Sequence, residues 1–279
     1  MASHGWAEGG LLASYGAGLT FKTGTIANPT YLRDSRAARR ATGTSVGTGE
    51  ALRIDMGAAR SLVGLALINH NLGVAASFPG CTVTVTATDN ADYATAAVTA
   101  KAATTISQTA PTHKDLVLQF PAVSKRYWSL TFAWTGGGNW TPAIGECIAL
   151  SAVTTLSRTT VYGSSQGERV TTVDTMTPSG DTRTIHLGGP WREKVLKWAD
   201  LTDAQRLELR TLWATVKGST TPFLWIESIN STASAATTAE QECIYGKLLS
   251  GEAAAVNDDF GIYQPNDFTI RALGREVGS

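Results

Sequence analysis

One stretch, Lys197 to Glu227, reading KWADLTDAQRLELRTLWATVKGSTTPFLWIE, limits the folds open to this chain. Thr202 followed three residues later by Gln205 is a capping box, in which each side chain satisfies a backbone N–H that the first helical turn leaves free. Leu209, Leu212, Trp213 and Val216 then recur at i, i+3, i+4 and i+7, one apolar stripe for packing. The helix is expected over 202–217, with Gly218 where a left-handed residue would end it. Before it, Arg192 to Trp198 alternates charged and apolar residues as a half-buried strand does. After it, Pro222 to Ile226 is an unbroken apolar run of strand length. The unit is strand, capped helix, strand, and no other segment carries a sustained helical period. It bears no catalytic residue, so it reads as a packing element and leans toward a structural or assembly role.

At 279 residues and 29.4 kDa the chain is long enough for two domains, and 43% hydrophobic content with eight Trp supplies their cores. Charged residues are only 16%, and 23 basic residues balance 23 acidic ones. No net field draws such a chain to nucleic acid or an anionic membrane, and neither is expected as a partner. Low charge also favours burying part of the surface in an assembly. Cys81, Cys147 and Cys243 are odd in number and far apart, which fits free buried thiols made in a reducing cytoplasm. The opening Met-Ala-Ser-His-Gly-Trp lacks the pattern of a signal peptide, and no run approaches the ~18 apolar residues of a membrane span.

The first half reads as strands. Leu19 to Lys22 is a short one, and Leu52 to Met56 alternates. A turn is expected over 57–61, then an apolar strand from Leu62 to Ile68. Cys81 to Ala87 has strict period two, Asp89 to Asp92 is a turn, and Leu116 to Phe120, Tyr127 to Phe132 and Ile144 to Leu150 complete the set. Short strands between Gly, Asn, Asp and Pro turns, with no helix among them, predict an antiparallel β-sandwich of the jelly-roll kind.

The order of these motifs resembles the discoidin-like, galactose-binding-like sandwich. Arg53-Ile-Asp-Met-Gly57, Arg126-Tyr-Trp-Ser-Leu130 and Gly145-Glu-Cys-Ile148 stand where that family has its D-x-G strand, its R-Y strand and its closing strand. The resemblance spans roughly residues 20 to 152 and implies either sugar binding through loops at one end or a spacer that has lost its ligand. The loops available are Tyr31 to Arg40, Asn69 to Phe78, and Trp134 to Trp140. Trp134 and Trp140 could offer stacking faces to a pyranose while Asn139 supplies hydrogen bonds, with Tyr31 and His70 beside them. Against this, the two indoles could close the end of the core or meet a neighbouring subunit, and His70 could simply cap its loop. The four arginines within Tyr31 to Arg40 suit an anion or sugar loop as well as a solvated one.

Thr154 to Arg158 is a polar connector, dividing a sandwich domain at 1–153 from a second domain at 158–279. Glu168 to Met176 and Thr182 to Leu187 read as strands around the turn Thr177 to Asp181. Further strands are expected at Glu242 to Leu249 and Asp267 to Leu273, with polar loops at Ser228 to Ala239 and Glu252 to Asp259. This order, with Leu201 to Trp225 at its centre, looks like the minor tail and distal-tail proteins of long-tailed bacteriophages. The resemblance implies a tail-tube-like β-sandwich with one α-helix, assembled as a ring, hexameric or trimeric, against tube and hub proteins in the virion. Many distal-tail proteins place the ring domain first, whereas here the sandwich precedes it.

The sequence carries no nucleophile elbow, no H-E-x-x-H, no C-x-x-C and no phosphate-binding glycine loop. His4, His70, His113 and His186 never pair at metal-ligand spacing, and no calcium loop is visible. No cofactor, metal or enzymatic activity is therefore expected. Three roles remain in order of preference: a tail-tip structural protein that contacts host glycan, a free carbohydrate-binding protein, and a glycan-cleaving enzyme built on two acids that meet in space.

Overall fold

The computed structural model describes residues 3–8, 18–34, 36, 39–72, 81–106, 115–135, 138–157, 165–169, 172–176, 182–186, 191–198, 201–217, 220–229, 243–250 and 268–275. These residues are mainly β. In chain order, β1 (Ser3–Glu8), β2 (Gly18–Phe21) and β3 (Ile26–Ala27) precede a 3-10 turn at Pro29–Arg33 and β4 (Ala41–Gly43). Then come a long β5 (Glu50–Ile68), β6 (Thr82–Thr88), β7 (Val98–Thr105) and a long β8 (Leu116–Ala133). β9 (Ala143–Ile144), β10 (Glu146–Leu150) and β11 (Thr154–Thr155) close the first half. The second half holds β12 (Ser165–Arg169), β13 (Thr172–Met176), β14 (Thr182–His186), β15 (Trp191–Leu196), α1 (Asp203–Thr215), β16 (Phe223–Ile229), β17 (Cys243–Ser250) and β18 (Phe268–Arg275).

The sandwich is organised by β5 and β8, which pair along most of their length. Each was expected as two strands, and each is one. Instead of a turn at 57–61, β5 bends through a bulge between Asp55 and Arg60, where Gly57 takes φ 74°. A second shift lies between Leu62 and Gly64, where exposed Pro121 falls on the β8 side between Gln119 and Val123. The resulting sheet runs β10-β5-β8-β6-β7, with β2 also on β5, and a three-stranded sheet β3-β4-β9 lies beside it. In β6, Val83, Val85 and Ala87 are buried while Thr82, Thr84 and Thr86 stay part-exposed, the period-two signature of one face in the core. β7 was not anticipated. Its residues, VTAKAATT, are too small and polar to announce a strand, and its pairing with β6 creates it.

β1 does not join the sandwich but lies between β11 and β16 in a seven-stranded sheet of order β11-β1-β16-β17-β18-β15-β12. Residues 18–150 are therefore set into the chain between the first strand of that sheet and the rest of it. β12 and β13, expected as one strand, are separate, and β13 pairs with β14 as a two-stranded hairpin. The turn Thr177 to Asp181, the loop Glu252 to Asp259, and all but Ser228 and Ile229 of the stretch to Ala239 lie outside the described residues.

The helix forms as its cap predicts. Thr202 N–H donates to Gln205 Oε1 (3.0 Å), and Gln205 N–H returns to Thr202 Oγ1 (3.4 Å). Leu209, Leu212 and Val216 are buried in one apolar cluster with Trp198, Phe223, Trp225 and Ile270, and Trp213 packs half-buried against it. The left-handed residue at the C-terminal end is Lys217 (φ 50°), and Gly218 lies outside the described residues. The opposite face of the same sheet is apolar as well: Leu224, Ile226, Cys243 and Tyr245 meet Ala66, Ile68, Val117 and Ile148 of the sandwich. Tyr245 donates its hydroxyl to the buried Glu146 carboxylate across that junction (3.3 Å). The layers are thus helix, seven-stranded sheet and sandwich, with the helix covering one face of the sheet and the first half covering the other.

All three cysteines are free and buried. Burial pushes the Cys81 thiol up to about 11, and raises Cys147 as well. No helix among the described residues is long and apolar enough to cross a membrane.

Candidate functional site

The two ends of the sandwich differ in what they do with polar and aromatic groups. At the first, three loops converge. Val46 and Trp140 exchange backbone hydrogen bonds (2.8 Å each), Gly43 N–H donates to Pro142 O (2.8 Å), and Asn71 N–H to Ala143 O (3.1 Å). This brings together the loops that the sequence singled out, but not as a stacking site. Trp140 is 1% exposed and Trp134 6%. The Trp140 ring lies edge-on to Phe132 (5.1 Å) and Phe21 (6.3 Å), and its Nε1–H donates to Asn71 Oδ1 (2.8 Å). Trp134 Nε1–H donates to Gly138 O (2.9 Å), and the two indoles meet edge to face at 6.4 Å. A flat sandwich end exposes its core, and two large rings with satisfied N–H groups close it.

The other expected residues are dispersed around this plug. His70 is 2% exposed and its Nδ1 accepts the Leu72 N–H (3.1 Å), which makes it a loop-capping side chain. Asn139 is exposed, and Tyr31 is half-buried with the Arg39 guanidinium 5.6 Å from its ring centre. Arg40 donates to Asn69 Oδ1, and Asn69 N–H donates to the Asp115 carboxylate (3.0 Å). Burial holds the Arg40 guanidinium below its ordinary value. Most of the polar groups here are directed at one another and fix the loops, while Arg40 Nε is buried without a hydrogen-bond partner among the described residues.

At the bend end, a charged and aromatic cluster stays part-exposed. Register places Asp55 of β5 opposite Tyr127 of β8, and Tyr127 opposite Thr88 of β6. One row along, Arg53 faces Ser129 and Ser129 faces Thr86. Asp55 takes Arg126 Nε (2.8 Å) and Nη2 (3.0 Å) on its two oxygens, a bidentate pair, and the guanidinium lies 4.7 Å from the Tyr127 ring centre. These hydrogen bonds outweigh desolvation and, with the Gly57 N–H, hold the Asp55 carboxyl below the usual range. Lys125 pairs with Asp89 at 2.7 Å. Tyr93 leans its ring on Tyr127 edge to face at 5.3 Å, with the Arg53 guanidinium 4.8 Å from the Tyr93 centre. Burial, then the Asp55 charge, pushes the Tyr93 phenol up, so it stays a hydrogen-bond donor at neutral pH.

The loop between β6 and β7 holds Tyr93 in this position against its backbone preference. Tyr93 sits at φ 63° and Ala96 at φ 52°, a region that side chains with a Cβ rarely adopt. Asp92 accepts the Ala94 and Thr95 N–H groups (2.9 and 3.0 Å) and the Thr95 hydroxyl. Thr88 and Asn90 both donate to Thr95 O (2.6 and 3.0 Å). All five side chains of the cluster, Arg53, Asp55, Tyr93, Arg126 and Tyr127, are part-exposed. In the sequence, Arg53, Asp55, Arg126 and Tyr127 fall in the family motifs, and Tyr93 follows the turn Asp89 to Asp92. What was missing was register, since only the β5–β8–β6 pairing puts them on one surface.

No family model matches the sequence, and no curated protein matches it. Among solved structures it is similar to a mutant of chitosan-binding module 1 derived from chitosanase/glucanase from Paenibacillus sp. IK-5. That match has 14% identity and TM-score 0.39, covering 52% of this chain and 98% of that one. It is similar to CBM32 of AlyQ in complex with 4,5-unsaturated mannuronic acid, at 16% identity and TM-score 0.36 over 48% and 95% of the two chains. It is also similar to CBM32-1 from a family 31 glycoside hydrolase from Clostridium perfringens, at 12% identity and TM-score 0.37 over 48% and 93%. Its neighbours include carbohydrate-binding modules. Identity and score at this level give no residue of this chain a role.

Proposed function

We propose that the protein is a non-enzymatic carbohydrate-binding component of a long-tailed bacteriophage tail tip, whose sandwich contacts a surface glycan while the helix-covered sheet mounts it on the particle. The observation that carries the sugar-binding part is the bend-end cluster. Two tyrosines held edge to face, flanked by two guanidiniums and a carboxylate on a part-exposed surface, combine stacking area with fixed hydrogen-bond groups. The assembly part rests on Leu201 to Trp225, a capped helix packed over a sheet, in a chain of which only 16% of residues are charged. Its partners on this reading are further copies of itself in a ring, hexameric or trimeric, and the neighbouring tube and hub proteins. Repeated weak glycan contacts then gain strength through multivalency.

Glycan-array binding of the purified protein, with Tyr93→Ala beside it, tests the first part: signal on the parent and at least a tenfold weaker signal on the variant are expected. An unchanged signal on a folded variant removes the bend-end site. Native mass by light scattering tests the second. A particle near six or three times 29.4 kDa is expected, and a monomer that stays monomeric with candidate tube and hub proteins added would count against the tail-tip role.

A further inference from the structure

We infer that the bend-end cluster selects saccharides that carry a carboxylate, with Arg53 as the residue that binds it; this rests on the carbohydrate-binding reading above. The charges around the cluster are otherwise accounted for. Arg126 is committed to Asp55 through two hydrogen bonds, and Lys125 to Asp89. Asp92 is occupied by Ala94 and Thr95. Arg53 is the cation left over. Among the described residues its Nε has no hydrogen-bond acceptor, and its guanidinium lies 4.8 Å from the centre of the Tyr93 ring.

That arrangement costs stability in two places. Arg53 Nε is covered without a hydrogen-bond partner, and a buried unsatisfied donor is unfavourable. Tyr93, the residue that covers it, is held in the left-handed region by its loop. Cross-strand neighbours do not relieve Arg53: Thr20 and Ser129 flank it with hydroxyls and bring no negative charge. The fold therefore presents an oriented, partly desolvated guanidinium next to two ring surfaces. The planar fork of a guanidinium matches a carboxylate, and a charge-assisted pair is strongest where water is partly excluded. The adjoining Tyr93 and Tyr127 rings give the sugar ring its stacking surface, and their hydroxyls have no hydrogen-bond partner among the described residues. A neutral sugar would use the rings and leave Arg53 unanswered, whereas a uronate or sialate satisfies both. The site lies at the opposite end of the sandwich from the loops closed by Trp134 and Trp140.

The test is calorimetric titration of the full chain with trigalacturonate and its methyl ester, and with 3′-sialyllactose and lactose. At least one acid is expected to bind tenfold or more tightly than its neutral counterpart, with the difference shrinking as salt rises. Arg53→Gln, checked by circular dichroism for an intact fold, is expected to abolish that difference, so that acid and neutral forms bind alike. Tyr93→Ala is expected to weaken acid and neutral forms alike. Equal affinity for acid and neutral forms overturns the carboxylate inference and leaves sugar binding standing. Binding to none of the four, together with an empty glycan array, overturns both. An acid preference that survives Arg53→Gln assigns the charge readout elsewhere and overturns the role of Arg53.

Discussion

Trp140 and Asp55 show how the same kinds of residue serve different ends of one sandwich. Trp140 touches Phe21, Phe132 and Trp134 and gives its N–H to Asn71, so it closes a core. Trp140→Ala is expected to destabilise the protein by about 3–5 kcal/mol, the usual cost of emptying a large aromatic site. Urea unfolding measures it, and a loss below about 1 kcal/mol would show that the ring is dispensable to the core. Asp55 acts through charge. Its carboxyl titrates lower in the folded protein than an ordinary aspartate near ~3.9, because Arg126 binds the ionised form. The unfolded chain therefore binds more protons in the window below that value. Its stabilisation is complete above the unfolded value and is lost as pH falls through the folded one. Melting temperatures from pH 7 to pH 3 are expected to fall less steeply for Asp55→Asn than for the parent. Parallel curves would mean that the Arg126 pair adds nothing.

At the scale of elements, the helix is the part whose formation is most local. Its capping box is made by residues three apart, so Thr202→Ala removes one hydrogen bond and exposes an N–H without disturbing the sheet. A loss of about 1 kcal/mol is expected in chemical denaturation. Gln205→Ala is expected to cost less, since the Thr202 side chain still caps. A Thr202→Ala variant as stable as the parent would mean that packing of Leu209, Leu212 and Val216 alone fixes the helix start. β5 and β8 lie at the other extreme, because neither has its length or its bend without the other. Their residues read as four short strands in isolation, and long-range pairing overrode the apparent turn at 57–61.

For the whole molecule, β1 and the sheet-on-sheet junction decide the architecture. β1 pairs with β16 from Glu8 opposite Phe223 to Ser3 opposite Ile229, and with β11 on its other side. Deleting residues 1–8 would leave β16, whose Phe223 to Ile226 are all buried, as a free apolar edge. The truncated chain is expected to aggregate or to lose protease protection across 191–275, and a synthetic 1–8 peptide is expected to restore part of it by strand addition. Unaltered protection in the truncated chain would show that β1 is an accessory strand. The shared cluster of Leu224, Ile226, Tyr245, Ile68, Val117 and Ile148 further argues that the halves do not melt independently.

Local information determined the strands of β6 and β16, the capped helix, and the mainly β character, because alternation, capping chemistry and apolar runs act between residues a few positions apart. It also brought Trp134, Asn139, Trp140, His70 and Tyr31 into view as polar and aromatic loop residues, without deciding which way they face. Only the tertiary structure decided that the two indoles turn inward, that β1 crosses to the second sheet, and that Arg53, Tyr93 and Tyr127 share a surface. The physical reason is register: side-chain direction alternates along every strand, so which residues meet depends on how distant strands align, and sheet hydrogen bonds fix that alignment only when the chain is folded.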